Sequence, residues 1–244
     1  PTAQQTPPTP PPPPPNPPTP PPPGRPRTLS SNKGFTLAEV LVTLGIIGVV
    51  SAMTVPTLMQ NHQRKTYVTQ LHKVYNELQQ ALMQYQNDKN AVNLTEAGLN
   101  SEAACNEFVS SYFKTIQTCE NALTPCFEDA ASYKTLNGGK PTTNFHVSTS
   151  YVIASGASVR FWYTPSGDKI GNFIVDINGK AGPNIFGRDV FNIAVFKNGL
   201  LDDGAGTSAP LTKEERENLY SSSCKSDMYG CFGKILNDNW EMTY

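Results

Sequence analysis

The stretch from Lys33 to Leu58 constrains this chain more than any other, because from Phe35 to Val55 it carries a single ionisable side chain, Glu39. At a rise of about 1.5 Å per residue such a helix is about 30 Å long, enough to cross the hydrocarbon of a bilayer. A carboxylate in an apolar helix costs roughly 2.5–3.5 kcal/mol at mid-membrane and less near the interface, so Glu39 needs a partner or a job. Lys33 and Gly34 sit directly before the apolar run. They place a small, permissive residue where a protease requires close backbone approach.

Taken singly, Glu39 reads as an interfacial carboxylate and Gly34 as a loop glycine. Taken together, a basic residue, glycine, Phe35-Thr36-Leu37 and then Glu39, fifth after the glycine, resemble the prepilin signal of type IV pilins and type II secretion pseudopilins. The resemblance spans about thirty residues and does not separate one member of that superfamily from another. It implies cleavage by a prepilin peptidase after Gly34, methylation of the new amine on Phe35, and pairing of Glu39 with the Phe35 amine of another subunit. Pro56 falls where many members carry a kinking proline.

Residues 1–34 hold proline runs at Pro11–Pro15 and Pro20–Pro23 with almost no apolar side chains, so no core is expected there and the tract reads as polyproline II or disordered chain. It is richer in proline than prepilin leaders usually are, which is consistent with an extended gene start, a leader with its own cytoplasmic contact or a tract without function. No acidic residue precedes Phe35, whereas Arg25, Arg27 and Lys33 do, and basic flanks stay on the cytoplasmic side. The C-terminal body is therefore expected outside the cytoplasm, on a single-pass inner-membrane protein. The whole chain has a formal charge of −1; without the first 34 residues, sixteen basic side chains face twenty acidic ones, or −4. Neither value points to nucleic acid as a partner.

Beyond Pro56 the pattern becomes amphipathic. Tyr67, Leu71, Val74, Leu78, Leu82 and Tyr85 recur at steps of three or four, predicting one long helix that ends near Asn87 and packs this stripe on a sheet. Pro56 is expected to kink rather than end it. Residues 89–145 read as a variable connection with one helix at Ser101–Tyr112. Strands are predicted at His146–Ala154, Ser158–Thr164, Asn172–Ile177 and Val190–Phe196, and their short loops require antiparallel neighbours. Lys213–Leu219 and Gly233–Trp240 read as short cover, with Trp240 and Tyr244 clamping the sheet. The expectation is an α+β, pilin-like fold, with a membrane half at 35–56, an amphipathic half at 57–88, and a four-stranded sheet with its cover in 146–244.

The glycine-rich segment Asp176–Asp189 supplies oxygen ligands that could hold calcium, but Gly179 comes too early for an EF-hand and no glutamate closes the loop. The plainer reading makes Asn-Gly and Gly-Pro-Asn the turns and lets Asp189 cap backbone amides. Of five cysteines, closeness in sequence pairs Cys119 with Cys126 and Cys224 with Cys231, leaving Cys105; connectivity does not follow from spacing alone. No Cys-x-x-Cys, Gly-x-Ser-x-Gly, phosphate-cradling loop or His-Glu-x-x-His occurs, and His62, His72 and His146 are scattered. A structural subunit, not an enzyme, is expected. It would assemble with other copies or related subunits on an inner-membrane platform, into a type II secretion pseudopilus in slight preference to a type IV pilus. The alternative is a minor tip subunit that binds cargo, a surface or DNA.

Overall fold

The computed structural model describes residues 34–142, 145 and 148–244. The proline-rich leader, its basic residues and His146 lie outside the described residues. Compact packing divides the chain at Val49 and Val50. The first unit contributes the apolar start of α1 (Leu37–Asp88), a helix that runs on through Pro56.

In the second unit the predicted stripe is buried: Leu71, Val74, Leu78, Leu82 and Tyr85 enter one core, joined by Val68 and Ala81, while Tyr67 is half-buried. Tyr85 is fixed twice, by its hydroxyl donating to Ala97 O at 3.0 Å and by the edge-on ring of Phe108 at 5.3 Å. Phe108 comes from α2 (Glu102–Tyr112), which begins where Ser101 accepts from the Ala104 amide.

The sheet has six strands, not four. β1 (Thr115–Cys119), β2 (Ser150–Ile153), β3 (Ser158–Ser166), β4 (Lys169–Asp176), β5 (Val190–Phe196) and β6 (Leu201–Asp203) form an antiparallel meander in chain order. β1 escapes the strand pattern because its middle three residues are exposed, so no alternation marks it. β6 escapes it because Asp202 and Asp203 read as turn residues. Both are nonetheless buried: Asp202 is bridged by Arg216 at 2.7 Å, and Asp203 accepts from the Gly230 and Gly233 amides at 2.9 Å.

Val159, Phe161, Phe173, Val175, Phe191 and Ile193 point at α1, and the register pair Phe161 and Phe173 stacks at 4.2 Å between ring centres. The opposite face is not solvated. Ile174 and Val190 there meet Phe127, Tyr133, Phe186 and Met228 in a second core built from the connection after β1, the loop before β5 and the loop after α3 (Lys213–Ser223). Coverage on both sides explains why β4 and β5 read as nearly continuous apolar runs. The last helix, α4 (Cys231–Asn237), precedes Trp240. Trp240 corrects its expected place: it stacks on His72 at 4.1 Å and meets Tyr75 edge-on at 5.0 Å, so it clamps α1 rather than the sheet. Tyr244 donates to Gly187 O at 2.9 Å.

Candidate functional site

The first described residues set up a local structure that the spacing Thr36-x-x-Glu39 already encodes. Thr36 is the N-cap of α1. Its hydroxyl accepts from the Glu39 amide at 3.2 Å, while one Glu39 carboxylate oxygen accepts from the Thr36 amide at 2.8 Å and the Thr36 hydroxyl at 2.9 Å. This reciprocal box satisfies donors that the first helical turn would otherwise leave orphaned. The helix therefore starts at Leu37, and Gly34 and Phe35 stay outside it, Phe35 being 87% exposed. The Gly34–Phe35 peptide bond is left in irregular, accessible backbone. Thr36 belongs to the motif but carries no role in the sequence reading, although a threonine three before a glutamate at the start of an apolar run signals such a box.

Behind Glu39 the surface is apolar on every side. Leu37, Leu41, Leu44 and Ile47 are all exposed, and Val40, Val42, Ile46 and Val49 fill the faces between them. Among the described helices α1 alone is long and apolar enough to cross a membrane.

Neither the loop before β5 nor the cysteines add a reactive centre to this segment. Asp189 uses both carboxylate oxygens to accept backbone amides, from Asn184 at 2.8 Å and Ile185 at 2.7 Å. Asp176 accepts the Tyr133 hydroxyl at 2.9 Å, and burial pushes its carboxyl up to about 8. Among the described residues no three His, Cys, Asp or Glu side chains gather as a metal cluster. Disulfides join Cys119 to Cys126 and Cys224 to Cys231, and Cys105 is a buried free thiol. Gly187, at φ 85°, leaves room for Cys231 Sγ where a Cβ would collide.

Residues 29–55 match the prokaryotic N-terminal methylation motif. The chain carries a prepilin-type N-terminal motif. It is also similar to the type II secretion system core protein G of Aeromonas hydrophila, 35% identical over 68 residues that cover 28% of this chain and 47% of that protein. Core protein G of Pectobacterium carotovorum subsp. carotovorum is 35% identical over 69 residues, 28% of this chain and 44% of that one. The chain thus spans less than half the length of the curated relatives it matches. No solved structure matches it. The matched residues include Gly34 and Phe35 and also Thr36 and Glu39, the pair that the capping geometry joins.

Proposed function

We propose that this chain is a structural pilin-like subunit, cut between Gly34 and Phe35 by prepilin peptidase and assembled through its apolar helix into a type II secretion pseudopilus. The observation that carries the proposal is the conjunction at the start of α1: an exposed, non-helical Gly34–Phe35 bond, a carboxylate in the first turn of the helix, and an apolar surface that none of the described residues covers. The names of the relatives, core protein G of a secretion system, support the pseudopilus over a pilus. They lend no support to a tip subunit that binds cargo, a surface or DNA.

In this reading the subunit waits in the inner membrane with its body outside the cytoplasm and meets the assembly platform there. Proline cannot donate a backbone hydrogen bond, so Pro56 is the place where α1 bends between its membrane half and its amphipathic half. Cleavage gives Phe35 a positive amine. In a filament core with little water an unpaired carboxylate costs several kcal/mol, and the amine of a neighbouring subunit relieves that cost. Thr36 gives Glu39 two donors while the subunit is alone. Exchange of those donors for a charged one sets the axial register, while Leu37, Leu41, Leu44 and Ile47 supply the packing.

The proposal is tested by Glu39→Leu. The variant should insert at normal abundance and, with Gly34 intact, be cleaved and show a methylated Phe35 by mass spectrometry. Its yield of sheared filament should fall on the order of tenfold or more, as expected when a buried charge pair is lost. Wild-type filament yield at equal membrane abundance would remove the register role from Glu39. An intact leader in membranes with active prepilin peptidase would remove the processing step.

A further inference from the structure

Asparagine directly precedes glycine at Asn137-Gly138, Asn178-Gly179 and Asn198-Gly199. In each pair the glycine amide nitrogen is a latent nucleophile toward the side-chain amide one residue back, because no Cβ shields it. The fold treats those three nitrogens alike. Gly138 donates to Thr135 O at 2.9 Å, Gly179 to Asp176 O at 3.3 Å and Gly199 to Phe196 O at 2.9 Å. What separates the pairs is the setting of the asparagine side chain.

The turn Thr135–Gly139 is closed by the Thr135 amide, which donates to Gly139 O at 2.9 Å. Inside it two donors converge on Asn137 Oδ1: the Gly139 amide at 3.1 Å, and the Thr135 hydroxyl, which lies closer to this oxygen than to Gly139 O. Thr135 is buried, whereas Asn137, Gly138 and Gly139 are exposed to water. A carbonyl oxygen held by two preset donors is polarised, and the same donors stabilise the negative charge that gathers on it when the carbon is attacked. Gly138, at φ 83°, has open space where a Cβ would stand, so the chain can move there as a ring closes. Asn137 also borders a groove of about 200 Å³ with Arg188 and Lys225, both exposed and, among the described residues, without an ion pair. Their charge favours an anion at this spot.

The other two pairs lack this setting. Asn198 Oδ1 has one donor, the Leu200 amide at 3.1 Å, and its Nδ2, the group that has to leave, is tied to Ala209 O at 3.1 Å. Asn178 Oδ1 is buried with no donor on it, and its Nδ2 donates to Gly182 O at 3.3 Å.

We propose that the Thr135–Gly139 turn is a self-modifying site that converts Asn137 to aspartate and isoaspartate. Hydroxide takes the Gly138 amide proton, the nitrogen bonds to Asn137 Cγ, and the Cγ–Nδ2 bond breaks as Nδ2 gains a proton from water and leaves as ammonia. Water then opens the cyclic imide. Attack at Cγ restores the main chain with aspartate, and attack at the main-chain carbonyl leaves isoaspartate. Either product adds one negative charge beside Lys225 and Arg188.

The test incubates the full chain in detergent at mildly alkaline pH in heavy-oxygen water, once folded and once in urea, and maps the three Asn-Gly pairs by peptide mass spectrometry. Label in the new carboxyl group marks conversion during the incubation. In the folded chain Asn137 should convert first, and no more slowly than in urea, while folding slows Asn178 and Asn198. Thr135→Val removes one donor from Oδ1 and should slow Asn137 about tenfold in the folded chain, the effect of one hydrogen bond to a charged group. An Asn137 that folding slows as much as Asn198 overturns the proposal. So does a folded Thr135→Val chain that converts at the wild-type rate, which would give the reaction to the Asn-Gly sequence alone. If that variant does not fold, the comparison of folded and urea-treated wild type decides by itself.

Discussion

Leu41, Leu44 and Leu71, Leu78 belong to one helix, yet the first pair is 60% and 59% exposed and the second pair is fully buried. The backbone hydrogen bonding is the same in both places, so helix formation does not distinguish them. What differs is the partner surface. The stripe from Val68 to Tyr85 meets Phe161, Phe173 and Val175 and gains about 25 cal/mol for each Å² of apolar surface removed from water. Among the described residues nothing offers the start of α1 such a surface. In the function proposed above it finds one in lipid or in another subunit, so that the same residue type stabilises the fold in one unit and association in the other.

The largest effect that separates the two units comes from emptying the core on one side only. Phe173 is fully buried and stacked on Phe161, so Phe173→Ala should destabilise the body by about 3–5 kcal/mol in chemical denaturation. Leu44→Ala should leave that midpoint unchanged and lower filament yield. A shift of the denaturation midpoint in Leu44→Ala comparable to that of Phe173→Ala would break the contrast.

The sequence made the first of these regions more legible than the second, for a physical reason. A run almost without polar residues and a stripe of period three to four are local signals, and β5 shows its bounds, Val190–Phe196, because Val190, Phe191, Ile193, Val195 and Phe196 favour a buried strand. β6 has no such signal. Leu201-Asp202-Asp203 becomes a strand through partners far along the chain, Arg216 fourteen residues on and the amides of Gly230 and Gly233 about thirty on. The second core likewise gathers Phe127, Tyr133, Phe186 and Met228 from irregular segments with no period to read. At the candidate site the reverse holds. Gly34, Phe35 and Glu39 were legible from spacing, and Thr36 was equally available as the N-cap of a box but is overshadowed by the stronger motif around it.

A smaller effect sharpens the comparison through pH. Asp176 lies in the body, where burial raises its carboxyl to about 8 despite the Tyr133 hydroxyl that it accepts. A group that holds its proton more tightly folded than unfolded stabilises the fold below its unfolded value and loses that contribution as pH climbs to the folded one. The body should therefore lose stability between about pH 4 and pH 8, by up to about 1.4 kcal/mol per pH unit from this group. Asp189 and Asp203 are raised by burial too and slope the same way, whereas Glu217, lowered by its hydrogen bond from Lys234, and Asp238, lowered against its burial by hydrogen bonds from Thr243 and Lys234, slope the other way at lower pH. Asp176→Asn keeps a polar partner for Tyr133 and should flatten the decline, so that the variant matches the wild type near pH 4 and exceeds it near pH 8. Parallel curves for the two proteins would show that Asp176 is ionised in the fold.

The smallest effect is the most discriminating, because the two units carry the same device. Thr212 and Glu215 begin α3 with the geometry that Thr36 and Glu39 give α1: the carboxylate accepts from the threonine amide at 2.7 Å and its hydroxyl at 2.8 Å, and the hydroxyl accepts from the glutamate amide at 3.2 Å. An N-cap threonine is worth about 1 kcal/mol to the helix it starts. α3 transmits that to the body because Arg216, one residue past the box, bridges the buried Asp202 of β6. Thr212→Ala should thus lower body stability by about 1 kcal/mol. The first turn of α1 is exposed throughout, so fraying it costs the body nothing, and Thr36→Ala should leave the denaturation curve unmoved. Its effect should instead be local: fewer protected amides over Leu37–Val40 in hydrogen exchange and an altered rate of cleavage at Gly34, because the helix no longer has a fixed start. A Thr36→Ala variant that destabilises the body as much as Thr212→Ala would mean that the two units share their cooperativity, and the division between fold and association drawn along α1 would fail.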